Sequence, residues 1–377
     1  MQRMLCEHIW HHIEGRMLLR DITLPREDSE ILCLLGDTGS GKTTLLRILA
    51  GLLSPTRGNC QMHHVRMVDE ESLSPRLTAE ENLLRALKVR GADKALTQSR
   101  LDRLLTVFDL EDFRFTRCEN LSHGEKELLS VACAVACRPG VLLLDMPRMM
   151  GEMRMALKAI MMESGMTVIY TARDLRDALY CADRIAFLHD GRILQLGTPE
   201  ELMDQPAAPQ ILARFADCTV LRGTVTGVQK DKKDKKESKK SKKDSDTEDL
   251  SKSAANEAPA AARCALDVNG MELDCLCPQD TDVEDDMIFM IRSDHLHAFR
   301  SPQPFGQNLC GEIADIQHFY GEETLHITVP SGDVVSVTFR SSTFGSKKKA
   351  WEVGDQVFLC WDVQNAHLFH DAPFQNV

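Results

Sequence analysis

Ile31-Leu32-Cys33-Leu34-Leu35-Gly36-Asp37-Thr38-Gly39-Ser40-Gly41-Lys42-Thr43-Thr44 decides the fold. Five apolar residues in a row read as a strand buried on both faces, the habit of a parallel sheet. The next eight residues fit G-x-x-x-x-G-K-[ST]. Leu45, Leu46, Leu49, Leu52 and Leu53 then recur at helical spacing. Strand, glycine-rich turn and helix are the context this motif requires. Its glycines let the backbone curl so that several N–H groups face inward as an anion-binding nest. The helix N-terminus adds positive potential. Lys42 is expected to reach the β- and γ-phosphates of a nucleotide, and the Thr43 hydroxyl to help hold Mg²⁺. A chance glycine-rich loop would not come with both flanking elements in place.

Working outward, Val141 to Leu144 is a second buried strand, and Asp145 at its carboxyl end can hold Mg²⁺ through water. Thr167 to Tyr170 is a third strand, with a helix over about residues 152–163 between the two. Two further strands, Ile185 to Leu188 and Ile193 to Leu196, flank the turn Asp190-Gly191. This is an α/β pattern.

Past residue 229 the composition changes. Residues 230–243 hold nine lysines and three acids, a local charge of +6 in a chain of net charge −12. Together with the acidic, Ala- and Ser-rich stretch after it, residues 230–262 read as a disordered insertion, with too little apolar surface to offset its ordering entropy. Acids interrupt the lysine run and no aromatic does, which favours a solvated loop over a nucleic-acid site. Beyond it Val335, Val337 and Phe339 alternate, as do Val357, Leu359 and Trp361. Turns at Pro330-Ser331-Gly332-Asp333 and Val353-Gly354-Asp355 separate these runs. A small β-barrel or sandwich is expected there, and no internal repeat stands out.

The global numbers agree. A chain of 377 residues suits two or three domains. The acidic balance and 5% aromatics exclude a chain whose whole surface holds nucleic acid. No apolar run approaches the roughly 18 residues of a membrane helix, and residues 1–10 lack a signal-peptide core. The 13 cysteines read as reduced thiols. Cys275 and Cys277 read as strand residues, and His8, His11 and His12 as surface histidines.

Several segments together resemble ATP-binding subunits of ABC transporters. Leu121-Ser122-His123-Gly124-Glu125 resembles the family signature, and its S-x-x-E spacing is also a helix capping box. Ala182-Asp183-Arg184-Ile185, Asp190-Gly191-Arg192-Ile193 and Gly197-Thr198-Pro199-Glu200-Glu201-Leu202 resemble the family closely. Thr219 to Val228 resembles the first strand, and Val353 through Asp362 the last strand, of the TOBE domain of importer ATPases. The Cys360-Trp361-Asp362 ending points to the polyamine or ferric-ion branch. The resemblance implies an ABC-type nucleotide-binding domain over residues 1–215. It implies a small barrel-like β domain over 216–229 and 263–377. It also implies ATP and Mg²⁺ as ligands, with Gly36, Asp37, Thr38, Gly39, Ser40, Gly41, Lys42, Thr43 and Thr44 on ATP. Thr43 and Asp145 would then serve Mg²⁺, and Ser122, His123, Gly124 and Glu125 would face ATP on a second subunit. Implied partners are transmembrane permease subunits and a second ATP-binding subunit, at the cytoplasmic face of the cell membrane, with no nucleic acid.

Departures from the family pattern are as telling. The Glu that follows the Asp of the buried strand is here Met146, whose thioether is no base. The switch His maps to Arg173, which stays protonated. The Q-loop Gln maps near Asp69, and residues 147–151 are shorter than the family's loop. The antiparallel β subdomain looks trimmed between residues 58 and 67. For the base-stacking aromatic, Ile13 occupies the counted position and Trp10 lies nearby. General-base help is worth roughly 10² to 10⁴ in rate, so the pattern implies nucleotide binding with little turnover in a site built from this chain alone.

Overall fold

The computed structural model describes residues 4–60, 64–68, 72–88, 94–145, 147, 151–173, 175–229, 262–278, 280–304, 306–319, 322–340 and 350–371. The chain divides into two compact units at residues 207/208.

The N-terminal unit runs β1 (Met4–Ile13), β2 (Arg16–Pro25), β3 (Ile31–Leu35), α1 (Lys42–Leu49), β4 (Arg57–Asn59) and β5 (Val65–Met67). There follow α2 (Ala79–Lys88), α3 (Lys94–Val107), α4 (His123–Ala136), β6 (Val141–Leu144), α5 (Gly151–Ser164) and β7 (Thr167–Ala172). It closes with α6 (Leu175–Cys181), β8 (Arg184–His189), β9 (Arg192–Gly197) and α7 (Pro199–Asp204). Six strands form one sheet in the order β5-β6-β7-β3-β8-β9, parallel except for the β9 edge. Every residue of β3, β6 and β7 is buried. That is why these strands read as unbroken apolar runs rather than alternating ones.

A second sheet, β2-β1-β4, is antiparallel. Its Leu5, Ile9, Leu19 and Ile22 share a core with Leu45, Leu46 and Leu49 of α1 and with Leu32 and Leu34 of β3. Helix α1 therefore lies between two sheets, and its leucines are fixed from both sides. It ends at Leu49, earlier than the spacing suggested, and Leu52 is 70% exposed. Its C-cap Ala50 is followed by Gly51 at φ +72°, which turns the chain out of the helix before Leu52. Strand β4 is only three residues long, consistent with the short stretch after Gly58.

The C-terminal unit begins with α8 (Pro209–Phe215) and the twelve-residue strand β10 (Cys218–Gln229). Next come β11 (Ala262–Val268), β12 (Met271–Cys277), β13 (Asp286–Arg292), β14 (His297–Phe299), β15 (Gln307–Phe319), β16 (Glu322–Thr328), β17 (Val334–Arg340), β18 (Gln356–Trp361) and β19 (Ala366–His370). Two antiparallel sheets, β12-β11-β10-β13-β19 and β14-β18-β15-β16-β17, enclose one apolar core that includes Leu266, Phe289, Val337 and Leu359. Alternation is plain here: Val335 and Val337 point into the core from β17, and Val357, Leu359 and Trp361 from β18.

Four expectations change. Ala262 belongs to β11, where it pairs with Cys277, so the strand begins one residue inside the stretch assigned to the insertion. The remaining residues of that stretch, 230–261, lie outside the described residues. The run ending at Trp361 is not the last strand, because β19 follows and pairs with β13. A repeat also exists. Strand β13, one turn of 3₁₀ helix and β14 match β18, a second such turn and β19, each with His-x-Phe in its final strand (His297-Ala298-Phe299 and His367-Leu368-Phe369). The copies exchange partners, β13 pairing with β19 and β14 with β18. Finally, His11 is buried at 7% exposure, whereas His8 and His12 are exposed. Its place on β1 opposite Leu19 puts it at a core-facing position.

None of the 13 cysteines forms a disulfide. Cys264, Cys275 and Cys277 sit buried on β11 and β12, as strand cysteines should. No helix among the described residues is long and apolar enough to cross a membrane.

Candidate nucleotide site

Strand β3 lies at the centre of the six-stranded sheet, and the loop 36–41 leaves its carboxyl end. Two glycines there are set by crowding. A Cβ on Gly36 would fall 2.1 Å from the Leu188 carbonyl oxygen. Gly41 caps α1 at φ +101°, and a Cβ on it would fall 2.5 Å from Cδ2 of Leu19. Only glycine fits either place, so the loop closes tightly over β8 and β2.

Lys42 is 6% exposed and folds back over the loop. Its ammonium donates to the carbonyls of Gly36 and Asp37, both at 2.7 Å, and to Ser40 Oγ at 3.4 Å. A buried cation held by loop carbonyls is poised to exchange them for phosphate oxygens. Asp37, Thr38 and Gly39 are exposed, whereas Thr43 and Thr44 are half-buried in the first turn of α1. The N–H groups of that turn have no intrahelical acceptor, which suits an anion. Two cavities of the N-terminal unit lie away from this loop. One of about 640 Å³ includes Arg100, Arg138 and Ile160, and one of about 690 Å³ includes Arg47, Val68 and Cys133.

Thr43 and Asp145 come together although 102 positions separate them, with Thr43 Oγ1 donating to Asp145 Oδ1 at 3.1 Å. Thr171 Oγ1 donates to the same oxygen at 2.7 Å. Sequence reasoning passed over Thr171. The one signal for it was its position at the end of a buried strand beside the strand that ends at Asp145. A hydroxyl and a carboxylate are hard oxygen donors of the kind Mg²⁺ takes. Among the described residues no group of three or more His, Cys, Asp or Glu could hold a metal ion, so phosphate oxygens and water would have to complete its shell.

The signature-like segment opens α4. Ser122 caps it, accepting from Glu125 N at 3.3 Å, while Glu125 Oε2 accepts from Ser122 N at 2.7 Å. Ser122 and His123 stay exposed, and a Cβ on Gly124 would meet nothing within 4 Å. The capping box and an open helix start are therefore present together. Arg173 is exposed just beyond β7. Met146 and Asp69 lie outside the described residues. Trp10 is half-buried on β1, and its carbonyl accepts from Thr56 N at 2.8 Å. Ile13, at the end of β1, is 44% exposed.

The ABC transporter family model matches residues 19–148, and the TOBE domain model residues 289–369. The chain is 30% identical over 219 residues to the spermidine/putrescine import ATP-binding protein PotA of Bacillus cereus, covering 53% of this chain and 67% of that one. It is 25% identical over 375 residues to the putrescine transport ATP-binding protein PotG of Escherichia coli, covering 93% and 91%. To the Fe(3+) ions import ATP-binding protein FbpC of Fusobacterium nucleatum it is 30% identical over 230 residues, 56% of this chain and 62% of that one. The chain thus spans about three fifths of the length of some of these relatives and nine tenths of others. Among solved structures, cbiO1 of Clostridium perfringens, part of an ABC transporter complex, superposes with a TM-score of 0.50 at 20% identity, over 55% of this chain and 92% of that one. That likeness supports the fold.

Proposed function

The chain belongs to the ATP-binding subunits of ABC transporters that carry a TOBE domain, and on that footing we propose that it binds Mg-ATP through residues 36–44 and couples binding to solute import. One observation carries the reading: a buried Lys42 folded back onto the phosphate loop, with Thr43 and Asp145 joined beside it. The loop N–H groups and Lys42 would grip the β- and γ-phosphates. Thr43 and Asp145 would hold Mg²⁺, which neutralises phosphate charge when bound. Relatives named for polyamine and ferric-ion import make a cationic solute the natural cargo class. Permease subunits would supply the pathway and solute choice.

A specific observation favours a second reading of the same site. On the mapping that the resemblance implies, Met146 and Arg173 take the places of the family's Glu and switch His. By the resemblance, both positions would serve this chain's own ATP. Ser122 and Gly124, which would serve ATP held by a second subunit, keep the family's residue types. We therefore infer that ATP acts here as a clamp with negligible turnover unless a complete ATP-binding subunit is the partner. A homodimer would have two poor sites and a heterodimer one working site.

The test is turnover of the purified chain, alone and with a complete paralogue from the same genome. We expect nucleotide binding without hydrolysis alone. Activity should appear on mixing and fall when Ser122 is replaced by Trp. Turnover of the isolated chain at ordinary enzyme rates, roughly 1–10³ s⁻¹, would overturn the clamp reading. Met146→Glu alone should recover little, since Arg173 remains.

A further inference from the structure

We propose that Thr171 is a positioning residue for the Mg²⁺-binding carboxylate, fixing Asp145 so that one of its oxygens is committed to the protein and the other to the metal's water. The proposal rests on the Mg-ATP reading of the site. Strands β6 and β7 pair in parallel with Leu144 opposite Tyr170. The next residue on each, Asp145 and Thr171, therefore reaches the same level at the carboxyl ends. Asp145 Oδ1 accepts from Thr171 at 2.7 Å and from Thr43 at 3.1 Å. Those are the two hydrogen bonds its carboxylate makes among the described residues, and both fall on one oxygen. Oδ2 is left for solvent or a metal-bound water.

The two threonines are not equivalent. Thr43 is half-buried in the first turn of a helix, and its oxygen must also serve the ion. Its single hydroxyl proton points to Asp145, which leaves its lone pairs for a cation. Thr171 is 1% exposed, β-branched, and set in a strand whose six residues are all buried. Its side chain has little freedom to turn. As Thr43 adjusts to an arriving ion, Thr171 keeps the carboxylate in place. Partners that orient a metal's own ligands commonly cost ten- to a hundred-fold in metal affinity when lost, and Thr171 stands one step further out, behind a carboxylate that reaches the ion through water. The plainer account is that Thr171 merely satisfies its own buried hydroxyl. The two accounts differ in what the near-isosteric Thr171→Val does to metal, as opposed to nucleotide.

The experiment uses the full chain with a non-hydrolysable ATP analogue and Mn²⁺ as a spectroscopic stand-in for Mg²⁺. We expect Thr171→Val to weaken Mn²⁺ binding to the nucleotide complex about ten-fold and Thr171→Ser to restore it. Analogue affinity in EDTA should stay at the wild-type value in both. Should the valine variant not fold, Thr171→Ala takes its place. Wild-type Mn²⁺ affinity in the hydroxyl-less variant would overturn the proposal. So would an equal loss of affinity in EDTA, which marks a structural role only. A wild-type complex whose nucleotide affinity ignores divalent ions would overturn the Mg²⁺ reading itself, and the role of Thr171 with it.

Discussion

The two compact units build their sheets on opposite plans. In the N-terminal unit the central strands are parallel and buried on both faces, so their carboxyl ends emerge side by side. Those strand ends, with the helix that follows β3, bring Thr43, Asp145 and Thr171 together from positions far apart in the chain, beside Lys42. In the C-terminal unit every sheet pairing is antiparallel, and each sheet turns one face to the shared core. Some of its strands pair with sequence neighbours and others with distant ones, as β13 does with β19 and β14 with β18. Parallel order creates a place for chemistry at the strand ends. Antiparallel order yields a stable body with two usable surfaces.

Four substitutions sharpen or break this contrast. The largest effect should come from Leu266→Ala, which empties a fully buried position of the C-terminal core. It should cost about 2–5 kcal/mol in denaturant unfolding of that unit, with affinity for an ATP analogue unchanged. A parallel loss of affinity would show that the β domain helps shape the nucleotide site. Next, Lys42→Ala should weaken binding of a labelled ATP analogue on the order of a hundred-fold and leave the C-terminal unit's thermal transition in place. Unchanged affinity would remove the N-terminal unit's claim to the chemistry.

Smaller effects follow. Ser122→Ala deletes one bond of the α4 capping box and should destabilise the N-terminal unit by about 1 kcal/mol. A loss much below that would mean the helix start is held by something other than its cap. Smallest is Asp294→Asn in the C-terminal unit. Partial burial pushes the Asp294 carboxyl up, but the Arg292 guanidinium at 2.6 Å outweighs it and holds the group below its ordinary value of 3.8. A carboxyl depressed on folding stabilises the fold above its unfolded-state value, and that gain is lost as pH falls through the folded-state value. The side chain is 58% exposed, so screening keeps the gain under about 1 kcal/mol. Wild type and variant should differ slightly at pH 7 and converge in acid below about pH 4. A gap that widens in acid would contradict the sign.

Much of the N-terminal unit was legible because its signals are local. Ile31–Leu35 and Val141–Leu144 form strands with the bounds their apolar runs suggest. The phosphate loop carries its own context of strand and helix. Ser122 and Glu125 declare a helix start at three-residue spacing. What stayed hidden depends on neighbours far away in the chain. Thr171 looks like any strand threonine until β6 is laid beside β7. His11 looks like its neighbours His8 and His12 until the bulged register of β1 against β2 turns it inward. The repeat in the β domain escaped because its copies share only a thin pattern, apolar residues and a His-x-Phe in the final strand. Its strand exchange is a fact of pairing alone.

The thiols carry a practical consequence for following motion in this molecule. Eight of the 13 cysteines are buried and only Cys310 on β15 is exposed. Burial also pushes several thiols up, to about 12 for Cys6, Cys133 and Cys275 and about 11 for Cys218. Since the thiolate is the reactive form, these groups are doubly shielded from alkylation at neutral pH. A brief maleimide treatment should therefore mark the chain first at Cys310. Later uptake becomes a clock of local opening: Cys6 and Cys33 time the N-terminal unit, while Cys264, Cys275 and Cys277 time the β domain.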